Sequence, residues 1–324
     1  MHVFDDDAVA SLLSLDDLLG VVETAFLKQG RGEVERPERP HFPVGEGLDG
    51  RAEPAGTGLA MPAYVHGDPT YATKLASVFP GNADADRPTV QAQVVLTDAA
   101  NGAPLALFAG ERITNARTGC IGGLAARDLA RGSGPVDLAV IGAGRQARWQ
   151  TRAIAAARGS NAPGSSRRRP PRARAVRRPS AIGVDAAAVA SPAAAVRDAD
   201  VVVTATTSET PVLSGEDLAA GALVVAVGAY EAGMCELDRA TFERAARVFA
   251  DVPEEVAGIG DVRDNGVDPA RLAPLSDVFA GAAGREADDD VIVVESVGSA
   301  VLDTATATHL WAAATDADGV AVEF

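Results

Sequence analysis

The chain has 324 residues, 47% of them apolar and 23% charged, enough to bury two cores. Forty-five acidic residues against 29 basic ones leave a net charge of −16, which repels phosphate and argues against a nucleic-acid partner. No apolar run reaches the ~18 residues of a membrane span, and the acidic start Met1–Asp7 has neither a basic nor an apolar leader region, so we expect a cytoplasmic protein without membrane contact.

Lysine occurs only at Lys28 and Lys74, and arginine carries the remaining positive charge. Acid-rich, lysine-poor composition suits a salt-rich cytoplasm, because strong salt screens the repulsion among carboxylates. Cys120 and Cys235 are the only cysteines, too few for a common structural zinc site, and no metal is expected.

In chain order, residues 7–30 carry apolar positions at helical spacing, with an acidic start and Gly30 as a stop, and predict one or two amphipathic helices. Residues 31–57 are rich in Pro, Gly and charge and predict loop or irregular strand. From Leu59 to Phe108 four strand-like runs follow without intervening helices, the last two joined by a hairpin signal at Ala99-Ala100-Asn101-Gly102. That pattern predicts a mostly antiparallel sheet. Thr114 to Arg131 predicts a connecting helix.

The second half alternates strand and helix, with strands expected at 137–141, 200–205, 222–227, 247–251 and 291–294, a βαβ series on a parallel sheet. A helix is expected from about Arg145 to Arg158, and a helical tail from Ser296 through Asp303 to Trp311. Gly159 to Ala181 fits neither pattern. It is dense in Arg and Pro, and no Asp or Glu occurs from Leu138 to Val184. The strand, the turn Gly142-Ala143-Gly144 and the helix at 137–158 have the form that opens a dinucleotide-binding unit. Such a unit places its second strand and a ribose-binding acid in this stretch, yet Pro and Arg at this density argue against a buried parallel strand. A disordered basic insertion and a local reading-frame slip both account for the text, and a slip would leave an inactive protein.

The chemistry-bearing motifs sit on this framework. Gly142-Ala143-Gly144-Arg145-Gln146-Ala147 follows a strand and opens a helix, the arrangement that lets a pyrophosphate approach the backbone at a helix N-terminus. A tight turn using glycine only for its dihedrals is the plainer alternative. Arg117, in Thr114–Gly119, could brace a phosphate or carboxylate, or be a surface arginine on the connecting helix. Lys74 lies inside an apolar strand, where a desolvated ammonium binds a carboxylate or moves a proton; an edge-strand guard is the alternative. Arg39, in Pro37-Glu38-Arg39-Pro40, is a second carboxylate clamp or a solvated loop residue.

These motifs occur in one order with Met61-Pro62, Phe79-Pro80-Gly81-Asn82, Pro88-Thr89-Val90, Asp98 before Gly102, Ala199-Asp200-Val201 to Thr206, Glu236-Leu237-Asp238 and Ser296-Val297-Gly298. The chain resembles the ornithine cyclodeaminase/mu-crystallin family over nearly all its length except 159–183. The resemblance implies an α/β protein with a Rossmann-type parallel-sheet domain at 118–294. It also implies an α+β substrate and dimerisation domain at 1–117, to which a tail at 295–324 returns. NAD or NADP is the implied cofactor, a small amino or imino acid the implied substrate, and a homodimer the implied assembly.

By the same resemblance Arg39 and Lys74 hold the substrate carboxylate. Thr89, Arg117, Gly142, Gly144, Arg145, Gln146, Thr206 and Ser296 line the cofactor, and Val297 touches the substrate. Two positions depart from the cyclodeaminases of the family. Leu59 stands where they carry a Glu, and Tyr230 where they carry a catalytic Asp, with Glu231 beside it. A phenol is a poor base near neutral pH but donates a hydrogen bond or proton, so Tyr230 joins Lys74 as a catalytic candidate; Glu231 as a substitute acid, with its pKa raised by burial, and a plain polar residue at a strand end are the alternatives. Both departures favour an alanine dehydrogenase-like or ketimine reductase-like reaction over conversion of ornithine to proline. A binding protein without turnover is the expectation from another class. Arg167 to Arg169 could grip a 2′-phosphate and decide between NAD and NADP.

Overall fold

The computed structural model describes residues 1–85, 87–159, 172–175, 186–315 and 317–323, with backbone alone at 83, 84, 172–175 and 186. They form two compact units. The first comprises Met1–Ser14, Arg31–Arg117 and Ala300–Phe324, and the second Leu15–Gly30 and Thr118–Ser299.

The first unit is built on a mostly antiparallel sheet of β1 (His2–Phe4), β2 (Val34–Glu35), β3 (His41–Val44), β4 (Gly56–Val65), β5 (Thr70–Val78), β6 (Val90–Asp98) and β7 (Pro104–Ala109). A last strand, Val320–Ala321, pairs antiparallel with β1, which itself runs parallel to β7. The β4–β5–β6–β7 meander follows from period-2 patterning. Along β5, Ala72 and Lys74 are buried while Tyr71 and Leu75 point outward. The β6–β7 hairpin closes as Asp98 accepts the N–H groups of Ala100 and Asn101 and Gly102 takes a φ of 78°. The inner face carries Phe4, Val94, Leu96, Ala106 and Phe108, with the Phe4 and Phe108 rings stacked at 4.7 Å. Against β4, β5 and β6 packs the C-terminal helix Ala300–Ala313, whose Thr304 and Thr308 bond to Ala63 and Thr70.

The second unit holds an all-parallel sheet: β8 (Asp137–Ile141), β9 (Arg172–Ala175), β10 (Ala186–Ala188), β11 (Val201–Thr204), β12 (Leu223–Ala226), β13 (Ala245–Ala250), β14 (Leu272–Pro274) and β15 (Val291–Glu295). Its order is β10-β9-β8-β11-β12-β15-β13-β14. Every residue of β11, β12 and β15 is buried, which is why these strands read as Val/Ile/Leu runs up to their last residues, Thr204, Ala226 and Glu295. The strand order reverses between β8 and β11, and in such sheets ligands bind at the carboxyl ends of the strands beside that reversal.

Of the helices, α1 (Asp6–Leu12) opens the first unit under an Asp5 cap, and α2 (Leu15–Gly30) packs within the second. The sequence expectation of a first domain at 1–117 places residues 15–30 in it. Phe26 of α2 meets Phe279 instead, with ring centroids 5.2 Å apart. The connecting helix α3 (Gly110–Leu129) starts four residues earlier than its sequence suggested. Helix α4 (Arg145–Gly159) follows the glycine turn. It comes close to α3 because a Cβ at Gly119 or Gly123 would stand 2.8 Å from the Trp149 or Ala153 carbonyl oxygen.

Two expectations need correction. Arg172–Ala175 does form a parallel strand, between β8 and β10. The prolines at 170, 171 and 179 bracket this Arg-Ala-Arg-Ala segment without entering it, so each of its N–H groups is free to pair. The tail helix begins at Ala300 rather than Ser296, because Ser296, Val297 and Gly298 bond to a carboxylate instead. The insertion and the frame slip concern 159–183, of which 160–171 and 176–183 lie outside the described residues, Arg167 to Arg169 among them.

Candidate active site

In the first unit, β5, α3 and the C-terminal helix bring three charges together. Lys74 Nζ donates to Asp303 Oδ2 at 2.6 Å, and Arg117 Nε donates to Asp303 Oδ1 at 2.8 Å. All three side chains are buried, at 3%, 3% and 1% exposure. Burial pulls the Lys74 pKa down from 10.5 to about 8, against the opposing pull of Asp303, and the positive charges of Arg117 and Arg39 lower it further. Burial would raise the Asp303 carboxyl, but Arg117 and Lys74 outweigh it and hold it below its usual range. Two cations thus share one anion, leaving one buried positive charge uncompensated among the described residues while Lys74 is protonated. Arg117 Nη1 and Thr114 Oγ1, three residues apart on α3, are buried without a hydrogen-bond partner among the described residues. An added carboxylate or phosphate would complete both the charge and the donors.

In the same unit, Arg39 lies half-buried between β2 and β3, and Thr89 half-buried before β6, its carbonyl accepting the Phe79 N–H at 2.8 Å. Met61 pairs directly with Lys74 across β4 and β5, and Leu59, two residues earlier, pairs with Ala76. Leu59 therefore lies on the Lys74 face of the sheet and brings no charge there.

In the second unit, the glycine turn closes the carboxyl end of β8. Gly142 takes a φ of 128°, and a Cβ there would run into the Ala205 carbonyl oxygen just after β11. Gly144 is exposed, and a Cβ there would meet nothing within 4 Å. Helix α4 then begins with exposed Arg145 and half-buried Gln146 and no acid in its first turn. Open space before a positive helix end, at the point where strand order reverses, fits a dinucleotide pyrophosphate.

Thr206, beyond β11, is fixed by a buried carboxylate. Its N–H and hydroxyl donate to Glu236 Oε1 at 2.6 and 2.7 Å, while Thr204 Oγ1 and the Gly228 N–H donate to Oε2 at 2.9 and 2.8 Å. A second carboxylate, Asp251, gathers the segment after β15. It accepts Ser296 Oγ at 2.7 Å, the Gly298 N–H at 2.8 Å and the Val297 N–H at 3.1 Å. Between these clasps stands Glu295, fully buried, neither of its oxygens partnered among the described residues. Burial first, then the charges of Asp261, Glu236 and Asp251, push its carboxyl well above the usual range. Tyr230 is half-buried beyond β12, with exposed Glu231 beside it. Burial and Glu231 both raise its phenol pKa, which keeps the proton on the ring oxygen.

The structure thus joins Lys74 to Arg117 in the first unit. In the second it sets Gly142 against the β11 loop that leads to Thr206, and holds Ser296 and Val297 on one carboxylate. Sequence reasoning gave no role to Asp303, Asp251 or Glu295, and quoted Glu236 only as part of a motif. Their signals were present: Asp303 is the one charged residue of an otherwise uncharged helix, and Glu295 ends a Val-Ile-Val-Val run.

The model of the ornithine cyclodeaminase/mu-crystallin family matches residues 2–318. A Delta(1)-pyrroline-2-carboxylate reductase from Bacillus cereus is 32% identical over 334 aligned positions, covering 100% of both chains. Among solved structures, the Thermococcus litoralis Delta(1)-pyrroline-2-carboxylate reductase in complex with NADH and L-proline superposes with a TM-score of 0.87 at 28% identity, covering 99% of this chain and 100% of that one. An archaeal alanine dehydrogenase dimer with bound NAD gives 0.85 at 28% identity, covering 100% of this chain and 99% of that one.

Proposed function

The chain belongs to the ornithine cyclodeaminase/mu-crystallin family, and from that membership we propose that it is an NAD(P)-dependent oxidoreductase that reduces the C=N bond of a small cyclic or α-imino acid. The observation that carries this reading is the Lys74–Asp303–Arg117 cluster, a buried site that among the described residues is short of one negative charge and suited to a substrate carboxylate. The likeness to reductases of Delta(1)-pyrroline-2-carboxylate makes a five-membered cyclic imine the preferred substrate, and simple amino-acid oxidation at the same bond is its reverse in kind.

Bound nicotinamide supplies the hydride at its C4. The protein's part is to hold and orient. Lys74 and Arg39 take the substrate carboxylate, and Arg117 completes the cationic lining. Gly142, Gly144, Arg145 and Gln146 receive the pyrophosphate, and Thr206, Thr89 and Ser296 line the rest of the dinucleotide. Val297 provides an apolar contact for the substrate carbon frame. Tyr230, protonated, serves as donor to the imine nitrogen as it becomes an amine. Neither Leu59 nor Tyr230 offers the carboxylate that recognition of a second amine calls for, which favours imine reduction over cyclodeamination of ornithine.

The same reading makes the protein a homodimer through the open face of the first sheet, where Tyr71 and Leu75 are 37% and 46% exposed. Replacement of Lys74 by Ala tests the carboxylate site. We expect turnover to fall by at least ~100-fold with the fold retained; unchanged turnover would remove Lys74 from the mechanism.

A further inference from the structure

We propose that Glu236 is a positioning residue whose ionised form holds the loops after β11 and β12 ready for the dinucleotide, so that its protonation releases them. The inference rests on the cofactor reading above. Its basis is the arrangement of donors. Glu236 is fully buried, and each of its oxygens receives one backbone N–H and one threonine hydroxyl: Thr206 twice on Oε1, Gly228 and Thr204 on Oε2. Thr204 ends β11, Thr206 lies two residues beyond it, and Gly228 two beyond the end of β12. One carboxylate therefore ties together two adjacent loops on the carboxyl edge of the sheet, next to the strand reversal. The approach is close: a Cβ at Gly228 would stand 2.5 Å from the Glu236 carboxyl carbon.

An ionised carboxylate only accepts, so it satisfies all four donors at once. A protonated one must place a hydrogen among donors. A threonine hydroxyl can rotate to accept it, but an N–H cannot, and each oxygen faces one N–H. Protonation on either oxygen thus weakens the hold on Thr206 or on Gly228, and with Gly228 the segment that carries Tyr230. Among the described residues, the titratable groups around Glu236 are acids. Asp261, on the short helix Gly260–Arg263, accepts the Glu236 N–H at 2.6 Å, and Glu295 and Asp251 follow at the ends of β15 and β13. Asp264 and Cys235 act on Asp261 rather than supplying a cation. Burial pushes the Glu236 carboxyl up to about 7 in spite of its four hydrogen bonds, which places the transition near neutrality. Since the ionised form is the one that holds the loops, dinucleotide affinity falls as pH drops through that value.

The test is the Kd for NADH and NADPH, read from nicotinamide fluorescence without substrate, across pH for the wild type, Glu236→Gln and Thr204→Val, with melting temperatures in parallel. The wild type is expected to lose affinity by about tenfold per pH unit below about 7. Glu236→Gln, with one acceptor oxygen, is expected to bind at least ~10-fold more weakly at pH 8 and without that acid limb. Thr204→Val removes a donor to the charged form, so the limb moves to higher pH. A Glu236→Gln variant that keeps the wild-type limb would overturn the proposal. Should that variant not fold, Thr204→Val decides: a lower melting temperature with an unmoved limb would mean that Glu236 is merely structural. A wild type that binds neither dinucleotide at any pH would instead overturn the cofactor reading itself.

Discussion

Asp303 carries a cation on each oxygen, so the triad responds to substitution as a unit. Asp303→Asn leaves two buried cations facing each other, and we expect a loss of ~3–5 kcal/mol in denaturant unfolding, as for a broken buried pair. A change within about 0.5 kcal/mol would show that the charges are solvated. Lys74 adds a pH dependence of definite sign. It titrates at about 8 in the fold and at 10.5 when exposed. Between these values the unfolded chain holds the extra proton, so this group makes stability rise with pH across that window. Substrate binding runs the other way. Above about 8 the ammonium is lost and the cluster falls from one positive charge to none, so KM for a carboxylate substrate rises; a KM flat from pH 7 to 9 would contradict the role. Lys74 was legible in the sequence because a lysine within an apolar strand, in a chain with two lysines, is conspicuous. Asp303 was not, because helical periodicity says which face a residue occupies but not which distant strand that face meets.

At the scale of elements, the two glycines of the turn after β8 separate geometry from ligand space. Gly142→Ala meets both a φ of 128° and the Ala205 carbonyl, and is expected to cost of order 1–3 kcal/mol of stability along with dinucleotide binding. Gly144→Ala meets no protein atom, so its melting temperature should match the wild type while NADH affinity drops. Equal loss of stability in both would mean that the turn serves the fold alone. Five of the eight described parallel strands were legible nearly to the residue: 137–141 coincides with β8, and the expectations for β11, β12, β13 and β15 differ by two residues or fewer at either end, while β10 and β14 were not expected. Fully buried strands announce themselves as apolar runs. Strand β9 was not legible, because four residues of Arg-Ala-Arg-Ala carry no hydrophobic signal and their pairing comes from β8 and β10 on either side. The late start of the C-terminal helix was hidden for a similar reason: Ser296 to Gly298 answer to Asp251, forty-five residues or more away.

For the molecule as a whole, the net charge of −16 on 324 residues predicts a melting temperature that climbs from low to molar salt as self-repulsion is screened. A temperature that stays level would remove the salt-adapted reading. The open face of the first sheet predicts a dimer by light scattering, and Leu75→Asp is expected to shift it toward monomer. Among the described residues no helix is long and apolar enough to cross a membrane. The measurement that bears most directly on the central claim is a substrate panel followed at the absorbance of reduced nicotinamide. With Delta(1)-pyrroline-2-carboxylate and NADH or NADPH, the absorbance should fall in step with proline formation, and pyruvate with ammonia should give a slower fall. Conversion of ornithine to proline with no net absorbance change, and no reaction with either imine source, would contradict the account.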